Sequence, residues 1–285
     1  MSPAADPPAP QAATPTGLMS PDRPEHPFVS VVVTVRNEAR HVADLLDSLI
    51  VQEPPLEVLV IDADSTDATR DIVRRYADKY AFIRLLEQGG TRGAARNRGV
   101  REAHGDVVAF IDGDCIANPF WLRELRKTLR ASDVAAGRTI QIGYYAFEAL
   151  GRVELEHHGF DVTYPSCNLG YWKAVFDKAG GFDDWFHTAE DIDLNYRAVD
   201  AGASLVPNDD AIVYHRARDT VAKFLKQAYW NGYGRKQLTL KHGNLWGQYS
   251  FRRMITSQAS FWGFLRLGWA SMGYLRAKAK ESRRT

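Results

Sequence analysis

With 285 residues, 45% apolar and 25% charged, the chain can hold one large globular domain with appendages and has neither a disordered nor a fibrous composition. Two cysteines, Cys115 and Cys167, are too few for a disulfide framework or a structural zinc site, and fit a reduced, cytosolic setting. The net charge of +1 hides a split: residues 1–215 carry 21 Lys/Arg against 33 Asp/Glu, a balance of −12, and residues 216–285 carry 15 against 2, a balance of +13. Such a basic segment points to phosphates on nucleic acid, anionic lipid or a phosphorylated substrate. The alternative is a tail docked on the acidic body.

Residues 1–27 hold eight of the 13 prolines and no apolar run, which reads as a disordered leader and not a secretory signal. Order is expected from Phe28, where FVSVVVTV suits a buried strand. Val42, Leu45, Leu46, Leu49 and Ile50 then follow helical spacing up to Pro54-Pro55. A strand over Leu56–Ile61 leads to Asp62, and Ser65-Thr66-Asp67 offers caps for a helix reaching about Tyr80. A strand near Phe82–Leu86, a helix near Gly93–Ala103 and a strand over Val107–Ile111 continue the alternation. Further strands are expected near Val134–Ile142 and Ala211–Tyr214. Strand and helix in strict alternation imply an α/β fold with a mostly parallel sheet flanked by helices. Near the end, Phe261, Phe264, Leu265, Gly268, Trp269, Met272 and Leu275 recur every three or four residues among Arg and Lys. This pattern predicts a basic amphipathic helix lying in a membrane interface; a soluble packing helix is the plainer reading.

Carboxylates gather at three stations: Asp62; Asp112 with Asp114; and Glu190, Asp191 and Asp193. The first two end apolar runs, and open α/β sheets bind ligands at the carboxyl ends of their strands. Acids converging on one edge repel each other unless a cation sits among them, so a divalent metal is the natural partner.

The strings VSVVVTVRNE, IDADSTDAT, GGTRGAARNRG, FIDGDC, GGFDDWF with AEDIDLNYR, and AIVYH resemble, in order over about residues 28–215, the inverting family 2 glycosyltransferases of the GT-A (Rossmann-like) fold. The resemblance implies a catalytic domain over 28–220 and a basic, aromatic helical extension over 221–285. It implies Mn²⁺ or Mg²⁺ as cofactor, with Asp114 as ligand, Asp112 on ribose or metal, and His215 on metal or diphosphate. Asp62 matches the position that holds the donor base; many relatives carry a second acid next to it, where this chain has Ala63. Glu38, Arg92 and Arg96 are assigned to the nucleotide, the arginines to its diphosphate, and Arg98 to solvent. Asp191 aligns with the general base, and Asn168 lies in a segment that borders the donor sugar in the family; Glu190, beside Asp191, is expected on acceptor or sugar hydroxyls, and Trp185, an aromatic on the loop before it, on the face of a sugar. Asp193 is expected to hold a neighbouring basic group. Gln227-Ala228-Tyr229-Trp230 lacks the Arg-Trp of the processive Q-x-x-R-W signature, which implies single additions.

The function expected is therefore metal-dependent, inverting transfer of one sugar from a nucleoside diphosphate sugar to a hydroxyl on a lipid-linked or envelope glycan precursor. The protein is expected at the inner face of the membrane, held to anionic lipid through residues 250–285, with no nucleic-acid partner. The rival readings are a sugar nucleotidyltransferase and a non-catalytic membrane-surface module of the same fold.

Overall fold

The computed structural model describes Leu18 and residues 23–142, 152–216, 220–249 and 260–281. Strands β1 (Val29–Val35), β2 (Leu56–Asp62), β3 (Ile83–Glu87) and β4 (Val107–Asp112) alternate with helices α1 (Val42–Leu49), α2 (Thr69–Lys79) and α3 (Arg92–Arg101). β1, β2 and β4 are almost wholly buried and β3 is a half-buried edge strand; all four pair in parallel, β1 lying between β2 and β4. The expected bounds agree within two or three residues. Asp67 caps less than expected: the N-cap position of α2 is Ala68, while Asp67 accepts from Thr69 N at 3.0 Å and Ala39 N at 3.2 Å, fastening the β1–α1 loop to the start of α2.

Beyond β4 come β5 (Cys115–Ala117), α4 (Trp121–Leu129), β6 (Val134–Ile142), the β7–β8 hairpin (Glu156–His157, Phe160–Asp161), β9 (Leu169–Trp172), α5 (Lys173–Lys178), α6 (Glu190–Asp200) and β10 (Leu205–Arg216). The sheet order is β3-β2-β1-β4-β9-β6-β10-β5. β9 runs antiparallel between β4 and β6, and β5 antiparallel to β10. The observed sheet is thus mixed, mostly parallel and eight-stranded.

Most of the expected leader lies outside the described residues. Within it, Arg23 pairs with buried Asp133 at 2.9 Å, and Leu18 N donates to the same carboxylate at 2.9 Å. Attachment to the body therefore begins before Phe28, inside the segment expected to be a disordered leader.

Two long helices close the chain, α7 (Val221–His242) and α8 (Phe261–Glu281). They cross at glycine on both sides: a Cβ on Gly232 would run into the Ala270 carbonyl, and one on Gly273 into the Tyr229 carbonyl. Helix α7 also docks on the body, where Lys241 Nζ meets Asp183 at 2.6 Å and His242 Nε2 meets Asp193 at 2.7 Å. For this helix the docked-tail alternative is the one observed. No described helix is long and apolar enough to cross a membrane.

Candidate active site

The carboxyl ends of β1, β2 and β4, the start of α6 and the inner faces of α7 and α8 enclose one cleft of about 1500 Å³. Glu38, Arg92, Asp112, Asp114, Asp191 and His215 all line it. Of the three carboxylate stations, Asp112 with Asp114 and Glu190 with Asp191 reach this cleft, whereas Asp62 is not among its lining residues.

Asp62 ends β2 and is 1% exposed. Its Oδ1 accepts from Ser65 N at 2.9 Å, whereas Oδ2 is buried with no hydrogen-bond partner. An unsatisfied buried carboxylate oxygen is costly, so this atom is suited to receive a donor from a ligand. Its neighbour Ala63 lines the cleft. The turn is braced by Asn37, held at φ 57°, whose N–H donates to Ser65 Oγ at 2.9 Å and whose Oδ1 accepts from Thr66 N at 2.8 Å.

Asp114 and His215 face each other across the β5–β10 pairing, with His215 Nε2 at 3.5 Å from Asp114 Oδ1. That separation is long for a hydrogen bond and compatible with two ligands of one ion. Nδ1 of His215 lies 2.9 Å from Gln141 Oε1, so the ring N–H sits there and the Nε2 lone pair is left to face Asp114. Cys115 completes the cluster geometrically, but hydrogen bonding to Cys167 and burial push its thiol well up, and a neutral thiol is a poor ligand for a hard cation. Oxygen and imidazole donors on a half-buried rim fit Mn²⁺ or Mg²⁺.

Arg96 departs from its expected place on the diphosphate. It is 2% exposed, donates from Nη2 to Asp112 Oδ1 at 2.7 Å and from Nη1 to Glu190 Oε1 at 2.7 Å, and lies over the Phe182 ring at 5.4 Å. It ties β4 to α6, while Arg92, exposed at the start of α3, lines the cavity. Burial alone would raise the Asp112 carboxyl; Arg96, with Arg92 behind it, outweighs that and holds it below the usual range. Glu190, expected on acceptor or sugar hydroxyls, has one oxygen committed to Arg96. Arg98 pairs with Glu102 at 3.1 Å on the partly exposed face of α3, as expected.

Asp191 keeps part of its surface open to the cleft. Its Oδ2 accepts from Ser166 N at 3.1 Å and its Oδ1 from Ile192 N at 2.8 Å. Burial first, and the Glu190 charge second, push it up to about 6, against the opposing pull of Ser166 N and Arg96. A carboxyl so tuned is an effective base near neutrality. The helix is entered through Ala189 in the left-handed region, φ 66°, a costly conformation for a residue with a side chain. Gly234 of α7 presses on this turn: a Cβ there would lie 2.7 Å from Thr188 O. Asp193 does hold basic groups, Arg197 at 2.7 Å and Lys241 at 2.9 Å as well as His242.

Two expected substrate contacts fail. Asn168 is fully buried, with Oδ1 accepting from Trp121 Nε1 at 2.8 Å and Nδ2 donating to Ala211 O at 2.9 Å and Arg138 O at 3.1 Å. Its polar atoms stitch α4, β6 and β10 together and none is left for a sugar. Trp185 does not line the cleft; it stacks edge-on against Phe186 at 5.2 Å, partly buried on the core. The sequence reading missed Gln141, and also Arg235 and Arg266, which line the far end of the cleft. The sequence offered only the positive charge of the final segment as a signal for the arginines.

The profile described as glycosyl transferase family 2 matches residues 30–169. Among curated proteins, the chain is 30% identical over 226 residues to glycosyltransferase AglE of Haloferax volcanii, covering 74% of each. It is 29% identical over 242 residues to the pre-mycofactocin glycosyltransferase of Mycobacterium tuberculosis, over 78% of this chain but 50% of that one. Among solved structures, a mannosyltransferase, PcManGT from Pyrobaculum calidifontis, in complex with GDP-Man and Mn²⁺, superposes with a TM-score of 0.61 at 19% identity, over 96% of this chain and 79% of that one. S. aureus TarS 1-349 in complex with UDP-GlcNAc superposes with a TM-score of 0.58 at 15% identity, over 90% of this chain and 92% of that one. A GT-A sheet, a cleft rimmed by the expected carboxylates and a 30% identical glycosyltransferase relative lead to one conclusion: the chain belongs to glycosyltransferase family 2 and is a glycosyltransferase.

Proposed function

We propose that the protein transfers a single sugar, with inversion, from a nucleoside diphosphate sugar to a hydroxyl acceptor, and that it does so with Mn²⁺ or Mg²⁺ bound. The observation that carries this reading is the tuned Asp191 carboxylate in the same cleft as the Asp114–His215 pair. The GDP-Man and UDP-GlcNAc held in complex by the two superposed proteins support a donor of that class.

Each residue has a part in this reading. The unpartnered Oδ2 of Asp62 accepts an N–H of the donor base. Asp114 and His215 would hold the cation, which would supply positive charge to the departing diphosphate. Arg92 adds a guanidinium to the same charge. Asp191 takes the acceptor proton as the hydroxyl attacks from the opposite face of the sugar, so no covalent sugar-enzyme intermediate forms. Arg96 fixes the distance between the cation station and the base.

The acceptor is proposed to be lipid-linked and the protein to sit peripherally at the inner face of the membrane. Helix α8 supports this, exposing Phe261, Phe264, Met272 and Leu275 beside Arg276, Lys278 and Lys280. The remaining residues of the expected lipid-binding stretch, 250–259 and 282–285, lie outside the described ones.

Incubation with candidate nucleotide sugars, Mn²⁺ and a membrane extract tests the reaction. Release of free nucleoside diphosphate with an inverted anomeric centre, seen by NMR, is the expected result. Release of pyrophosphate instead would support a nucleotidyltransferase.

A further inference from the structure

The cleft is larger than one donor requires: small-molecule sites run to roughly 300–1,000 Å³, and this one reaches about 1500 Å³. Its second end has a chemistry of its own. It is walled by α7 and α8, where Arg235, Arg266, Asn231, Ser271 and Tyr274 line the cavity. The sequence holds no Asp or Glu between Thr220 and Lys280, so neither helix supplies an acid to this wall. Arg235 is half-buried and directed by neutral groups: Nη1 donates to Tyr249 Oη at 3.1 Å and Nη2 to Val153 O at 2.8 Å. Arg266 is half-buried as well, and burial together with the neighbouring Arg235 lowers its pKa. Two guanidinium groups lining one partly desolvated cavity suit an anion with several oxygens.

The same helix continues outward as an apolar face. Leu267 and Leu275 line the cavity and are also exposed, 36% and 62%, so the mouth of the cleft runs directly into the stripe of Phe264 and Met272. The close crossing at Gly232 and Gly273 sets this geometry, because it holds the inner face of α8 on the cleft while the outer face stays uncovered. A headgroup pocket and a hydrocarbon track on one helix match a single amphiphile better than a soluble sugar.

We propose that Arg235 and Arg266 form an anion subsite for the phosphate of a membrane lipid, which presents the acceptor hydroxyl to Asp191 while its hydrocarbon lies along Phe264, Met272 and Leu275. The assignment of this lipid as acceptor rests on the glycosyl-transfer reading; the phosphate subsite itself does not.

The experiment is calorimetric titration of the full chain with decyl phosphate, inorganic phosphate and decanol, with a nucleoside diphosphate and Mn²⁺ present to fill the donor end. Decyl phosphate is expected to bind at least tenfold more tightly than either other probe. Arg266→Gln and Arg235→Gln, each checked for an unchanged melting temperature, should erase the advantage over decanol. Met272→Ser with Leu275→Ser should erase the advantage over inorganic phosphate. Equal binding of inorganic phosphate would mean a free-phosphate site, and equal binding of decanol an apolar groove; either overturns the proposal. So would full binding by both arginine variants, or displacement of decyl phosphate by the nucleotide. The donor reading fails separately, if nucleoside diphosphates with Mn²⁺ leave the wild-type melting temperature unmoved.

Discussion

Arg96 and Glu190 lie 94 residues apart and meet in a buried ion pair of 2.7 Å, with the other arm of the same guanidinium on Asp112. One cation thus sits between the end of β4, with Asp112, and the start of α6, which carries Glu190 and Asp191. Removing it leaves two carboxylates facing each other with little water. Arg96→Met is expected to destabilise the fold by about 3–5 kcal/mol, the usual result of breaking a buried pair from one side. Arg96→Lys, with a single point of charge and no fork, should recover part of that loss. Urea denaturation of the three proteins checks the order.

Asp191 gives a pH signature. As a base it must be ionised, so turnover should rise through about pH 6 and fall away below it. Asp191→Asn should abolish turnover while nucleoside diphosphates still raise the melting temperature. Stability should move the other way. A carboxyl whose folded pKa lies above its unfolded value disfavours the folded state progressively as pH rises from about 3.8 to about 6. The Asn variant is therefore expected to match the wild type below pH 4 and to melt higher at pH 8. An Asn variant that melts lower at pH 8 than at pH 4, relative to wild type, would contradict the burial assigned to Asp191.

The cation site can be tested through its orienting amide. Gln141 fixes which nitrogen of His215 faces Asp114. Gln141→Leu should raise the Mn²⁺ concentration needed for half-maximal activity by about 10-fold or more, in the range typical for partners that orient metal-binding histidines. His215→Ala should raise it further. EDTA should remove the nucleotide-induced shift in melting temperature in the wild type.

Gly234 tests whether α7 supports the base. A side chain there would press on Thr188 and Ala189, at the left-handed turn that opens α6. Gly234→Val is expected to cost about 1–3 kcal/mol through overpacking. It should also reduce kcat by more than it weakens donor binding, since Asp191 lies two residues beyond that turn. An equal loss in both would assign Gly234 to packing alone.

The parallel half of the sheet is readable because β1, β2 and β4 carry apolar runs and α1 and α2 have a 3.6-residue period, whereas β3 and α3 carry weaker signals. β5 and β9 are not readable, being three and four residues long, too short for any period to show. The acids at the ends of β2 and β4 and at the start of α6 stand out by residue type, while the roles expected of Asp62, Asp114 and Asp191 come from the family resemblance. The sequence also anticipated that Asp193 would bind basic groups, but could not specify that two of them come from α7. Asn168 and Trp185 were misjudged because a polar or aromatic residue near a motif serves equally well in a core, and only its neighbours decide. Arg96 was misjudged for the same reason: its motif marks it as a cation near the site without naming the anion it meets.

By itself, then, the sequence determined the identity of the strands and helices in the first half, the acids at their ends, and the basic, apolar character of the last helix. These are properties of composition and local period, which survive in an unfolded chain. The tertiary structure alone decided which charge neutralises which, which nitrogen of His215 is free, and which side of α8 faces the cleft. Those depend on distances of a few ångströms between residues far apart in the chain, and such distances exist only once the core has packed.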